Sequence, residues 1–279
     1  MTTTLVKSLK PAMLAALLLV SAAAVTAAPV RDTDQAERYQ ACLALVETAP
    51  AQAIERATQW RGEAGGGVPA RHCLALAYAR QGNYAQAATA LAATANAAEA
   101  EGDPQVAELW GQAGNAALLA EQPQAALGYL EAGIAVSGMT PVRTAALLVD
   151  RARAAVELHR DTDARADLQR ATGLDPSAAE AWLLRATLAR RDHELARAER
   201  FILQAGTIAP GDADIGVEAG NIAAAQGKLE LARAAWTAVA KGAPGSAAAD
   251  AATRSLAANP GQPQVHREPA ALDPAASTP

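Results

Sequence analysis

One stretch of the chain, Asp192-His193-Glu194, sets a histidine between two carboxylates, the residue types that move protons or hold a metal. It lacks the second histidine of a zinc-protease helix, and its polarity reads as a turn. His72, His159, His193 and His266 are scattered, so no group of them has metal-ligand spacing. Gly62 and Gly65 to Gly67 form a glycine run beside Arg61. No Lys-Ser or Lys-Thr follows it and no strand precedes it, which excludes a phosphate loop and leaves a linker. No serine lies in a Gly-x-Ser-x-Gly elbow. The residues therefore predict no catalytic site, no cofactor and no metal, and a protein that is not an enzyme. What remains is a set of arginines, whose forked donors suit carboxylates, and the two cysteines Cys42 and Cys73.

Those side chains act only where the backbone sets them. Pro176, Pro210 and Pro244 recur every 34 residues, and the chain between them keeps register. With each repeat counted from the third residue after the preceding proline, position 8 is Ala152, Ala186 and Gly220. Position 20 is Ala164, Ala198 and Ala232, position 24 is Leu168, Ile202 and Trp236, and position 27 is Ala171, Ala205 and Val239. Small residues at fixed phases of such a period specify stacked helix pairs. Residues 179–210 are the clearest unit. Ala181, Trp182, Arg185, Ala186 and Ala189 mark one amphipathic helix, and Leu195, Ala198, Ile202, Ala205 and Ile208 mark a second. The short polar turn from Arg191 to Glu194 forces them to be antiparallel neighbours. Ser177 with Glu180 reads as a capping box, and Thr140-Pro141 and Asp103-Pro104 put proline in a first helical turn.

This pattern resembles the tetratricopeptide repeat family, with a large residue at position 4 (Trp110, Leu148, Trp182) and Gly or Ala at position 8 (Gly114, Ala152, Ala186, Gly220). The resemblance covers about residues 35–256. It implies an all-α fold, a right-handed superhelical solenoid of about six helix-turn-helix repeats with a C-terminal capping helix. The repeats fall near 35–62, 68–99, 107–140, 145–176, 179–210 and 213–244, and the cap at 247–257. In this family the first helix of each pair lines a concave groove, which places Asn115, Arg153, Arg190, Arg191 and Asn221 on or near it. Arg153, Arg190 and Arg191 are then candidates to grip an acidic peptide or a chain terminus; the alternative is ion pairing along the solenoid with acids such as Asp150, Glu157 or Glu218. The lysine that a carboxylate clamp carries at position 5 is replaced by Gly111, Val149, Leu183 and Val217, which argues against that mode of recognition. Arg151 and Arg185 occupy position 7, normally apolar, and are expected to pair with second-helix acids such as Asp167 or Glu199.

The two ends differ from the middle. Lys7 and Lys10, the apolar stretch from Met13 to Val20 and the small residues Val25-Thr26-Ala27 read as a secretory leader over residues 1–27, cleaved after Ala27. A retained anchor is the alternative. A short segment, 28–34, precedes the solenoid. Residues 258–279, rich in proline and alanine, read as a disordered tail. In an exported chain, periplasmic or secreted, the even pair Cys42 and Cys73 reads as a disulfide, with two buried free thiols as the alternative. Alanine makes up over a quarter of the chain, which favours helix but buries little area per residue, so Trp60, Trp110, Trp182 and Trp236 are expected to anchor the packing. A net charge of −5 argues against a nucleic-acid partner. The expected function is an exported scaffold that binds a peptide or helix of an envelope protein, with no membrane span once the leader is removed. A self-associating structural protein, or a non-catalytic subunit of an envelope enzyme or assembly complex, is the alternative.

Overall fold

The computed structural model describes residues 33–63 and 66–260, and the expected leader, most of segment 28–34 and the tail from residue 261 lie outside them. The described residues form thirteen α-helices and no strand. In order they are α1 (Thr33–Thr48), α2 (Pro50–Gly62), α3 (Gly67–Arg80), α4 (Tyr84–Glu101), α5 (Val106–Leu119), α6 (Pro123–Ala135) and α7 (Pro141–Glu157). Then come α8 (Asp161–Leu174), α9 (Ala179–Arg191), α10 (Leu195–Ile208), α11 (Ala213–Ala225), α12 (Leu229–Gly242) and α13 (Ala247–Ala258).

Successive helices pack against one another, and first helices also touch the first helix of a neighbouring pair, as α5 does α7 and α9 does α11. The apolar residues accordingly form five clusters strung along the chain, not one common centre. The reason lies in the repeat positions. Ala152, Ala186, Ala164, Ala198 and Ala232 are almost fully buried, so paired backbones approach closely, and Leu168, Ile202 and Trp236 fill the space beside them. Gly114 and Gly220 carry this furthest: a Cβ at Gly114 would run into Leu130, and one at Gly220 into the Trp236 indole. Trp60, Trp110 and Trp236 are core anchors, each at most 8 % exposed. Trp182 is not; it is half-buried, with Phe201 beside it.

Helix starts show where local signals yield to neighbours. Thr140 caps α7 by accepting from the Arg143 amide, Asp212 caps α11, and Ser246 caps α13. The capping box expected of Ser177 and Glu180 does not form. Asp175 accepts from both the amide and the hydroxyl of Ser177, α9 begins at Ala179, and Glu180 is drawn to Arg153 on the preceding first helix. Asp103 likewise takes the Gln105 amide in a turn, so Pro104 precedes α5, which starts at Val106. At the other end α13 extends to Ala258, and Arg233 donates to the carbonyls of Leu256 and Asn259.

Candidate interaction face

The first helices of successive pairs carry a run of polar side chains that bond to one another. In the N-terminal half, Tyr39 on α1 meets His72 on α3 at 2.6 Å, and His72 meets Gln112 on α5 at 2.7 Å. Burial of the imidazole holds its pKa below the usual value, so the ring is neutral at pH 7. A neutral ring between a hydroxyl and an amide oxygen has one consistent arrangement: Tyr39 donates to Nδ1, and Nε2–H donates to Gln112 Oε1. Burial also pushes the Tyr39 phenol up to about 12, which keeps it a donor.

One turn along α5 the run continues. Asn115 donates to Asp150 on α7 at 3.1 Å, Arg153 donates to the other oxygen of Asp150 at 2.7 Å, and Arg153 also contacts Glu180 at the start of α9. Asp150 is 7 % exposed, and its burial raises its pKa against the opposing pull of Arg153 and Asn115. At the far end of α9, Arg190 forks onto Glu218 of α11 with bonds of 2.6 and 3.1 Å. Glu218, 6 % exposed, also accepts from Asn221, whose own oxygen receives the Trp236 indole N–H. Thus an acceptor at position 6 (Asp150, Glu218) is held by a donor at position 9 of its own helix (Arg153, Asn221) and by a side chain of the preceding first helix (Asn115, Arg190).

Of the five residues expected to line a groove, the structure brings Asn115 and Arg153 together on Asp150, and Arg190 and Asn221 together on Glu218. Arg191 is apart from them, paired with Asp161 at the start of α8 at 3.2 Å. The arginines expected to grip a partner's carboxylate each hold a carboxylate of this chain. Cys42 and Cys73 are joined as a disulfide with their Cα atoms 6.2 Å apart, fastening α1 to α3. At position 7, Arg151 forks onto Asp167 at 2.7 and 2.6 Å as expected. Arg185 does not pair with Glu199, which instead takes Gln226 and Lys228 from the following pair. Arg185 packs over Trp182 and Phe201 and donates to Thr172 Oγ1 at 2.7 Å. Residue types alone do not single out Tyr39, His72, Gln112 or Glu180; the acid at position 6 followed by a donor three residues on was the available signal for Asp150 and Glu218. The Asp192-His193-Glu194 stretch is a turn after α9, where Asp192 binds Arg165 and Glu194 binds Arg197. Among the described residues no group of three His, Cys, Asp or Glu could hold a metal ion.

No protein-family model matches the chain, and no curated protein matches it in sequence. Solved structures do match in shape. PilF of Pseudomonas aeruginosa is similar at a TM-score of 0.62 and 12 % identity, over 80 % of this chain and 97 % of that one. PilW, described as a widely conserved type IV pilus biogenesis factor, is similar at 0.64 and 15 % identity, over 81 % and 99 %. The quorum sensor NprR of B. thuringiensis is similar at 0.60 and 11 % identity, over 79 % and 68 %. These neighbours contain tetratricopeptide repeats. With its helices packed in consecutive pairs and its cores strung along their length, the chain has the tetratricopeptide-type solenoid fold.

Proposed function

We propose that the protein is a scaffold of the cell envelope, exported by its leader, that holds a peptide or helix of a partner protein along the face built by its first helices. The observation that carries this reading is the polar run across α5, α7, α9 and α11. Asn115, Arg153, Arg190 and Asn221 are half-buried, and each is fixed by a buried carboxylate. A face whose donors are already oriented loses little side-chain entropy when a partner docks. Affinity then comes from a few contacts spread over an extended surface, not from a pocket. The disulfide, a cross-link that persists in oxidising compartments, supports export together with the leader read from the sequence. The likeness to PilF and PilW supports an assembly role of this kind, since PilW is a pilus biogenesis factor. No helix among the described residues is long and apolar enough to cross a membrane.

The internal pairing of the arginines decides how the reading is tested. Arg190→Glu would set two carboxylates together at a 6 % exposed site, so a loss of binding would report unfolding as much as recognition. Thr187, half-buried on α9 between Arg153 and Arg190 in sequence, is the better probe. A photo-crosslinker at Thr187 should capture one defined envelope protein in living cells, and the same group at exposed Thr207 on α10 should not. Equal capture from both positions, or none from Thr187, ends the proposal.

A further inference from the structure

Arg151 and Arg185 stand at the same repeat position, as do their partners Asp167 and Phe201, one repeat apart. In the first case the guanidinium is neutralised by a forked carboxylate. In the second the chain supplies rings. The Arg185 Cζ lies 4.1 Å from the Phe201 centroid and 4.8 Å from the Trp182 centroid, beside two rings whose centroids are 5.7 Å apart and whose planes are inclined at 45°. Thr172 Oγ1 accepts from Nη1, and since its own proton goes to the Leu168 or Gln169 carbonyl, its lone pair is held toward Arg185. No carboxylate of the described residues lies within ion-pair distance of Arg185. Among the described residues, four of the five N–H donors of this guanidinium have no acceptor. The charge that α10 brings to bear on Arg185 is a further cation, Arg197, one turn before Phe201 and bonded to Glu194.

We propose that Arg185 is a receptor for an acidic side chain of a protein partner, a contact point separate from the polar run on the first helices. Both rings lie to one side of the guanidinium and leave its other side as the open approach, and a carboxylate is the planar group that meets a guanidinium edge with two parallel bonds. Packing against the rings partly desolvates the cation, so an incoming charge is less screened there than at a fully exposed arginine. Arg185 is half-buried, and none of its nitrogens is a buried atom without a partner, so its unpaired donors are reachable from solvent. Arg151, already closed by Asp167, cannot serve in the same way.

The test uses the whole exported chain labelled with ¹⁵N in arginine and tryptophan. The Arg185 Nε–H and Trp182 indole signals are followed while N-acetylglutamate N-methylamide, its glutamine counterpart or sodium sulfate is added at matched ionic strength. A saturable shift is expected with the glutamate compound, none with glutamine, and a weaker one with sulfate. Arg185→Gln should weaken the response about tenfold or more, as loss of a charge-assisted bond requires. Phe201→Asp should abolish it in a different way, by building the Arg151–Asp167 pair into this repeat, while circular dichroism confirms that both variants stay helical. Absence of a saturable shift, an equal response to glutamine or sulfate, or undiminished binding by Phe201→Asp overturns the proposal. None of these outcomes bears on capture from Thr187, so the two sites stand or fall separately.

Discussion

His193 has φ of +61°, and Glu121 and His159 sit at +57° and +58° in the equivalent turns of the two preceding pairs. The same turn in two other pairs uses Gly82 and Gly227. A side chain in this left-handed region costs roughly 1–2 kcal/mol, partly offset by the extra freedom glycine gives the unfolded chain. His193→Gly is therefore expected to stabilise by about 0.5–1 kcal/mol, read as a higher urea midpoint at unchanged slope. His72 contributes with a different dependence. Its folded-state pKa is depressed by burial, so the unfolded chain binds the proton more tightly, and stability is full above about pH 6.5 and declines below it. Urea titrations from pH 7 to pH 5 should show that decline, at up to about 1.4 kcal/mol per pH unit, and His72→Gln should flatten it. Neither the Tyr39–His72–Gln112 chain nor its protonation state was legible in the sequence. Its members are 33 and 40 residues apart, in the part of the chain where the 34-residue interval is broken.

At the scale of the helix pair, the reading from sequence was close, because small residues at positions 8 and 20 and large ones at 24 are packing requirements that show in residue type. What residue type could not show is which acid an arginine takes. Arg151 and Arg185 read alike, yet one finds Asp167 and the other two rings, because the answer depends on the residue at position 23 of the facing helix. Glu180 read as a cap for its own helix and was taken by Arg153 of another. The packing rule itself is testable with two glycines. Gly220→Ala would force the Trp236 indole to move, with an expected loss of about 1–3 kcal/mol from overpacking. Gly173, inside α8 and facing open space, has the opposite expectation: Gly173→Ala should gain about 0.5–1 kcal/mol of helix propensity. Equal effects of the two substitutions on the urea midpoint would remove close backbone approach as the reason for glycine at position 8.

Over the whole molecule, stability is a sum of pair and interface terms, because five clusters share the burial and each helix touches only near neighbours in the chain. The disulfide acts on one end of this array. Closing a loop across a separation of 31 residues is worth about 3–4 kcal/mol in the chain-entropy picture, applied to α1, α2 and α3 alone. Reduction, or Cys42→Ser with Cys73→Ser, should therefore speed amide exchange in α1 and α2 strongly and leave α9 to α12 nearly unchanged. Uniform acceleration along the chain would mean a single cooperative unit. The cross-link also sets a polarity. With its N-terminal end tied and its C-terminal end closed, among the described residues, by α13 and the Arg233 bonds, the array is expected to open from the C-terminus, as a rope whipped at one end unlays from the other. A protease working inward from that side would shorten the molecule pair by pair, and each truncated form would keep the tied end folded.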